Sequence, residues 1–283
     1  MTRRLSLIAT AFSLILPLMG TSVFAQDQPT QVAAETATPA PPAEAWSKVT
    51  FRGADNRQFD VWIDGTRLGL TPISVELPSG RRMVSASAEL LSPVIEYIEF
   101  IPDQSHDIIL PVEPLTNQNY TRITANVVGA LKLAPKNAHI SLIAAMTAQD
   151  PKDAWTMLSR GEQMAPANPT SMLIRGKRLQ VEKKYDESLN VLDEGLQLDV
   201  RYAAIHRQRA RTLTQMRRLN EAVDAVTIAI EIDPNDWQSY YTRAIIYGEI
   251  KDKDRARKDL DKALVLSPKN SEVLQALKDM GAK

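Results

Sequence analysis

The 283-residue sequence contains no cysteine, and this absence excludes several kinds of chemistry and anchoring. Without a thiol the chain forms no disulfide, no thiolate metal site and no cysteine nucleophile. A bacterial lipoprotein, which carries its lipid on a cysteine at the cleavage site, is excluded for the same reason. Stability must come from a packed core, and a hydrophobic content of 44% is enough to build one.

The sequence also has no excess of charge of one sign, since it contains 34 basic and 34 acidic residues. Such a balance gives no electrostatic reason to expect nucleic acid or an anionic membrane as a partner. Beyond the N-terminus, no apolar run approaches the 20 or so residues that a membrane-spanning helix needs. We therefore expect no transmembrane span in the mature chain.

The N-terminus has the three parts of a secretory signal peptide. Arg3 and Arg4 are the positive region, the apolar run covers residues 5–16, and Ala25 ends a segment suited to signal peptidase. The sequence predicts a signal peptide over 1–25 and an exported protein, either periplasmic or at the cell surface. A retained N-terminal anchor is the alternative.

Residues 26–46 are rich in alanine, proline, threonine and glutamine and are predicted to be a disordered tether. Pro39, Pro41 and Pro42 cluster there, and Val32 is the one large aliphatic residue before Trp46. Such a segment buries too little apolar surface to offset the entropy lost on ordering.

The next segment, residues 47–114, consists of short alternating runs separated by turn residues. Residues 59–63 and 73–77 alternate between apolar and polar, and Asp64-Gly65 suits a tight hairpin because both positions tolerate positive φ. This spacing predicts five or six strands in a small antiparallel sandwich or barrel. Trp62, within an alternating strand, is predicted to lie in its core.

The turns of this segment resemble those of the PEGA domain. The resemblance rests on Val61 to Gly65, Gly69, Thr71-Pro72 and Leu77 to Gly80; the Gly-Tyr usual after the third strand is missing. PEGA domains are β modules of bacterial and archaeal surface and envelope proteins. The resemblance implies a PEGA-like β-sandwich over 47–114 and no catalytic residues.

From about residue 136 the pattern becomes helical and repeats every 34 residues. Arginines and small residues recur at fixed positions, and prolines recur where a helix must stop. The matched columns include Arg175/Arg209/Arg243, Ser188/Ala222/Ala256, Gly195/Ala229/Ala263 and Val200/Pro234/Pro268. This pattern resembles the tetratricopeptide repeat (TPR). It predicts an α-solenoid of about four repeats over 136–281 with a C-terminal capping helix, after a connector over 115–135 that holds a half-repeat helix.

In the TPR family, partner-contacting residues lie at set positions on the first helix of each repeat. Carried over, they form a concave groove with a basic middle and apolar or aromatic flanks, lined by Leu173, Lys177, Arg207, Arg211, Tyr241 and Ile245. An acidic, partly apolar peptide segment would suit this groove. In the alternative, the three basic residues are only a solvated face. The arginine ladder is predicted to pair with carboxylates such as Asp259.

The sequence offers no recognisable catalytic, cofactor or metal motif. Its three histidines, His106, His139 and His206, lack metal-ligand spacing, and no nucleotide-binding or hydrolase fingerprint occurs. We therefore predict no enzyme, no cofactor and no metal.

The function predicted from these features is that of an adaptor of the bacterial cell envelope. The main alternative is a cell-wall or polysaccharide-binding protein that uses the PEGA-like domain, with TPR-mediated self-association. Exposed aromatic side chains on the β segment would favour that alternative, with Trp62 as the obvious candidate. A third class, a hydrolase, would require a deep polar pocket between the two domains.

Overall fold

The computed structural model describes residues 45–88, 91–111 and 117–281. The predicted signal peptide and all but the last two residues of the predicted tether lie outside the described residues. The described chain has two parts: seven strands, which we call the β module, and then ten helices.

The β module forms two sheets, with strand orders β4-β1-β7 and β3-β2-β5-β6. Its strands are β1 Trp46–Gly53, β2 Asp60–Ile63, β3 Thr66–Leu70, β4 Ile73–Pro78, β5 Gly80–Ser87, β6 Val94–Phe100 and β7 Ser105–Leu110. The predicted Asp64-Gly65 hairpin is confirmed: both residues have positive φ, 50° and 85°, and Ile63 pairs with Thr66 across the turn. The two sheets share one core, to which Val49, Phe51, Phe59, Val61 and Phe100 contribute fully buried side chains.

One strand pair departs from the antiparallel prediction. β1 and β7 are parallel, with Phe51 opposite Ile108. Between these two strands the chain passes through the whole second sheet. Only strands joined by a tight hairpin are forced to be antiparallel, so this longer connection leaves β7 free to run beside β1 in the same direction.

The helices follow the predicted 34-residue period. Their bounds are α1 Asn117–Leu133, α2 Ala138–Thr147, α3 Pro151–Met164, α4 Pro169–Val181, α5 Tyr185–Leu198, α6 Ala203–Gln215, α7 Leu219–Ile232, α8 Trp237–Ile250, α9 Lys253–Leu266 and α10 Ser271–Gly281. The first helices of successive pairs, α4, α6 and α8, begin at 169, 203 and 237, each 34 residues apart. None of the described helices combines the length and the hydrophobicity needed to cross a bilayer.

Small residues lie where the paired helices approach closely, as predicted. A Cβ added to Gly176 of α4 would lie 2.6 Å from Cδ2 of Leu192 in α5. A Cβ added to Gly161 of α3 would lie equally close, at 2.6 Å, to Leu142 in α2. Side-chain caps fix several of the helix starts; at α4, for example, Asn168 accepts a hydrogen bond from the Thr170 amide at 2.8 Å.

Candidate binding surface

The first helices of the pairs, α2, α4, α6 and α8, carry two rows of residues that recur every 34 positions. We call His139, Leu173, Arg207 and Tyr241 the fifth-position row, and Ile143, Lys177, Arg211 and Ile245 the ninth-position row. All six residues predicted to line the groove belong to these rows. The β module covers the fifth-position row for most of its length, whereas three of the four residues of the ninth-position row are half-buried or exposed.

His139 is the first residue that the β module covers. Its ring is stacked on Trp62 with centroids 4.8 Å apart and an angle of 9° between the planes. Each ring nitrogen lies 2.9 Å from a serine hydroxyl of β5, Nδ1 from Ser85 and Nε2 from Ser87. Burial and, to a lesser extent, the charge of Arg67 together lower the pKa of His139 to about 3, so the imidazole is neutral at physiological pH. One nitrogen therefore donates to a serine and the other accepts.

A buried carboxylate joins the β module to the start of α4. Asp60 of β2 accepts hydrogen bonds from Trp62 Nε1 at 2.7 Å, from Arg67 Nε at 2.6 Å and from the Thr170 hydroxyl. Burial raises the pKa of Asp60, while Arg67, Thr170 and Trp62 offset part of that effect. Leu173, one turn further along α4, is 3% exposed and packs in a cluster that includes Leu70 of β3.

Arg207 is held in a second buried ionic cluster, which reaches the start of α8. It pairs with Asp236, the N-cap residue of that helix, and is 3% exposed. Arg57 of the β module donates to the same carboxylate at 3.1 Å and to the Asn235 carbonyl at 3.2 Å. Gln58 beside it donates to the Arg201 carbonyl at 2.8 Å, just before α6, so the β module contacts the starts of α4, α6 and α8 as well as α2.

Two residues predicted to line the groove, Leu173 and Arg207, are therefore buried within the chain. The groove open to a partner is narrower than predicted because the β module occupies its fifth-position side. The predicted place of Trp62, in the core of the β segment, was wrong. Trp62 is 1% exposed, but it faces away from Val61 and Ile63 and packs against residues of α2 and α3. A large apolar residue at the alternate position of a strand whose other face is apolar is the one signal of this docking that the sequence carries.

The ninth-position row combines a basic middle with apolar ends. Ile143 is 1% exposed, Lys177 and Arg211 are half-buried, and Ile245 is 43% exposed. Arg211 lies between Lys177 and Ile245 in the row, and its Nε donates a hydrogen bond to the Thr242 hydroxyl at 3.4 Å. Two cavities flank this row, one at the β module and one at the C-terminal helix.

The first cavity, which we call the junction cleft, lies between the β module and the helices. Its volume is about 140 Å³. It is lined by Ser87, Ala88, Leu91 and Pro93 of the β module and by Ile143, Ala145, Met146, Thr147, Leu173, Ile174, Lys177, Arg178 and Val181. Most of these side chains are apolar, so the cavity at this junction differs from the deep polar pocket that a hydrolase would require.

The second cavity, which we call the terminal groove, lies between α8 and α10. Its volume is about 890 Å³. Its apolar lining includes Tyr241, Ala244 and Ile245 of α8 and Ala276 and Met280 of α10. Charged residues of both signs also line it: Glu249, Lys251, Lys253, Glu272 and Asp279. Burial raises the pKa of Tyr241, and the nearby charge of Glu272 raises it further. Two of the six predicted groove residues, Tyr241 and Ile245, therefore share an open cavity.

The arginine ladder is structural, as predicted. Arg243 Nε donates to Asp259 at 2.7 Å, Arg209 Nε donates to Asp193 at 2.8 Å, and Arg175 pairs with Glu162. Each bridge joins a first helix to a second helix.

Two comparisons of sequence and fold identify the helical part. Residues 228–258, from the second half of α7 to the first turns of α9, match the family model described as tetratricopeptide repeat. The chain contains a TPR repeat. Its fold is similar to that of TTC0263, a thermophilic TPR protein of Thermus thermophilus, with a TM-score of 0.53. That similarity, at 16% identity, covers 59% of this chain and 92% of the other.

The chain is also similar to parts of longer proteins. The Cut9–Hcn1 hetero-tetramer of the APC/C gives a TM-score of 0.51 at 16% identity, covering 58% of this chain and 33% of that chain. A DnaJ homolog subfamily C member 7 homolog of Dictyostelium discoideum is 30% identical over 101 residues, 34% of this chain and 19% of the relative. An inactive TPR repeat-containing thioredoxin, TTL3, of Arabidopsis thaliana is 28% identical over 93 residues, 33% of this chain and 14% of the relative. The chain thus spans less than a fifth of these curated relatives.

Proposed function

We propose that this protein is a non-enzymatic adaptor that holds a segment of a partner protein against its ninth-position row. TPR proteins act as protein–protein interaction scaffolds, and residues 228–258 match that repeat. The observation that carries the proposal is the arrangement of the open surface. A row with a basic middle runs between an apolar cleft and a groove of mixed lining, while the β module fills the neighbouring row.

The chemistry of this row favours an acidic, partly apolar segment as the partner. Lys177 and Arg211 provide the positive charge, Ile245 provides apolar surface at one end, and the apolar junction cleft lies at the other. A guanidinium recognises carboxylates through a fixed fork of donors, which suits Arg211 to a glutamate or aspartate of the partner. Arg207 contributes less than its sequence position predicts because Asp236 already neutralises it.

We place the adaptor in the bacterial cell envelope, in the periplasm or at the cell surface. The signal-peptide pattern over 1–25, the tether pattern over 26–46 and the PEGA-like turns of the β module support this setting. The β module would contact a second envelope component through the sheet β4-β1-β7, since the other sheet lies against the helices. The outer face of that sheet carries exposed polar residues, including Lys48, Arg52, Ser74 and Asp107.

The wall- or polysaccharide-binding alternative receives less support. Sugar-binding surfaces would use exposed aromatic rings, and Trp62 is only 1% exposed because it packs against the helices. Among the described β-module residues, Tyr97 is the large aromatic with an exposed side chain, at 49%, and it forms no row with another.

The test is a pull-down from an envelope fraction with wild type, Arg211→Glu and the matched control Arg257→Glu. Arg257 is an exposed arginine of α9 that pairs with Asp261 and is not among the residues that line either cavity. We expect a partner that the wild type and the control retain and that Arg211→Glu loses. Equal recovery of every partner by all three proteins would refute binding at the ninth-position row.

A further inference from the structure

We infer that the junction cleft is a pocket for one apolar side chain of the partner segment, and that the β module builds one wall of it. This inference rests on the proposed function and specifies it. The pocket is composite: neither the helices nor the β module alone would enclose it. Partner binding would therefore require the β module to be docked.

The walls of the cleft come from both parts of the chain. The β module contributes Ala88, Leu91 and Pro93, while α2 contributes Met146 and α4 contributes Val181. Its volume of about 140 Å³ is close to that of an apolar protein cavity, of about 150 Å³, that binds a benzene ring. One phenylalanine or leucine side chain therefore matches the cleft in size and polarity.

The charge at the cleft indicates which kind of partner residue would lie next to that apolar side chain. Lys177 and Arg178 are the ionisable residues among those that line it, and both are basic. Arg178 is fixed in place because its Nη2 donates to the Ala145 carbonyl at 3.1 Å and to the Ala148 carbonyl at 3.3 Å, at the end of α2. A carboxylate next to the apolar anchor would complement this positive rim.

The terminal groove could hold a second apolar side chain of the same partner segment, and its position sets the number of residues between the two side chains. The cleft borders α4 and the terminal groove borders α8, and α6 contacts both of these helices. Packed helices lie roughly 8–10 Å apart, so the two helices are about 20 Å from each other. An extended chain advances about 3.3 Å per residue, which gives about six residues between the two anchors.

The experiment measures binding of a fluorescein-labelled peptide by anisotropy. The peptide carries one Phe and one Leu about six residues apart, with glutamates between them, and a second peptide has Ser in place of Phe. Val181→Glu and Pro93→Glu place a carboxylate on the helical wall and on the β-module wall of the cleft. Their matched controls are Val265→Glu, at an equally exposed site of 72%, and Pro102→Glu, in an exposed turn of the same module.

We expect Val181→Glu, Pro93→Glu and the loss of the Phe each to weaken binding at least about tenfold, while both controls bind like the wild type. Thermal unfolding of each variant checks that the fold is kept. Wild-type affinity in both cleft variants, or no saturable binding of the Phe peptide to the wild type, would overturn the inference.

Ile245→Glu in the terminal groove separates this inference from the proposed function. If Ile245→Glu weakens binding and the cleft variants do not, the row binds partners but the cleft is not a pocket. If none of the three variants weakens binding, the proposed function fails as well.

Discussion

At the scale of single residues, His139 of α2 links the helices to the β module through three side-chain contacts. Its two nitrogens are used by Ser85 and Ser87, and its ring lies on Trp62. The sequence shows only that this histidine lacks metal-ligand spacing and indicates no partner for it. Its partners lie 52 and 54 residues away, and local periodicity carries no information on contacts of that kind.

The buried histidine predicts a specific dependence of stability on pH. The pKa of His139 is about 3 in the folded protein, against about 6.5 when unfolded. Between these values the unfolded chain binds a proton that the folded chain does not, so stability falls as pH falls below 6.5. From pH 7 to pH 5 this residue alone should remove about 2 kcal/mol from the free energy of unfolding.

Urea unfolding of the wild type and His139→Gln at pH 7, 6 and 5 measures this effect. Glutamine does not titrate, so between pH 7 and pH 5 the free energy of unfolding of His139→Gln should fall by about 2 kcal/mol less than that of the wild type. This difference does not depend on how much the substitution destabilises the protein at pH 7. Parallel curves for the two proteins would show that His139 is not held neutral.

At the scale of elements, the helix pairs depend on close approach at particular small residues. Gly176→Ala would force a Cβ against Leu192, which is fully buried and cannot move aside. Overpacking of this kind costs about 1–3 kcal/mol, more than the gain in helix propensity. Gly129 in α1 is the matched control, since nothing lies within 4 Å of the Cβ that Gly129→Ala would add.

We expect Gly176→Ala to lower the thermal midpoint and Gly129→Ala to raise it slightly, through a gain of up to about 1 kcal/mol. Calorimetry of the two variants measures both shifts. A Gly176→Ala protein as stable as the wild type would contradict the close packing of α4 on α5.

Structural features were predictable from the sequence where residues close together in the chain determine them. The Asp64-Gly65 turn, the 34-residue helical period and the Arg243–Asp259 pair all follow from neighbouring residues or from one repeat unit. The parallel pairing of β1 with β7 does not, because no local signal fixes the direction of a strand after a long crossover. The six predicted groove residues were placed on the correct helices. Which of them are open depends on a docking that the repeat pattern does not contain.

At the scale of the whole molecule, the β module is a neighbour of the repeat stack and a part of the binding face that we propose. One sheet lies against the helices through Trp62 and Asp60, and the other faces away. The contacts that fix this arrangement are buried and polar, such as Arg57 with Asp236. Breaking such a pair by removing one partner is costly, so the arrangement is specific. The open surface is accordingly reduced to the ninth-position row and its two cavities.

Cysteine labelling tests this central claim most directly, because the chain has no cysteine of its own and each single-cysteine variant reports one site. Ser85→Cys and Ser74→Cys are the same conservative substitution on two faces of the β module. Ser85 is fully buried against His139 of α2, whereas Ser74 is exposed on the sheet that faces away from the helices. A water-soluble thiol reagent should modify Ser85→Cys at least about a hundredfold more slowly than Ser74→Cys, because it reaches the covered site only when the structure opens locally. Equal rates at the two sites would contradict the account, because they would mean that the β module does not cover the inner face.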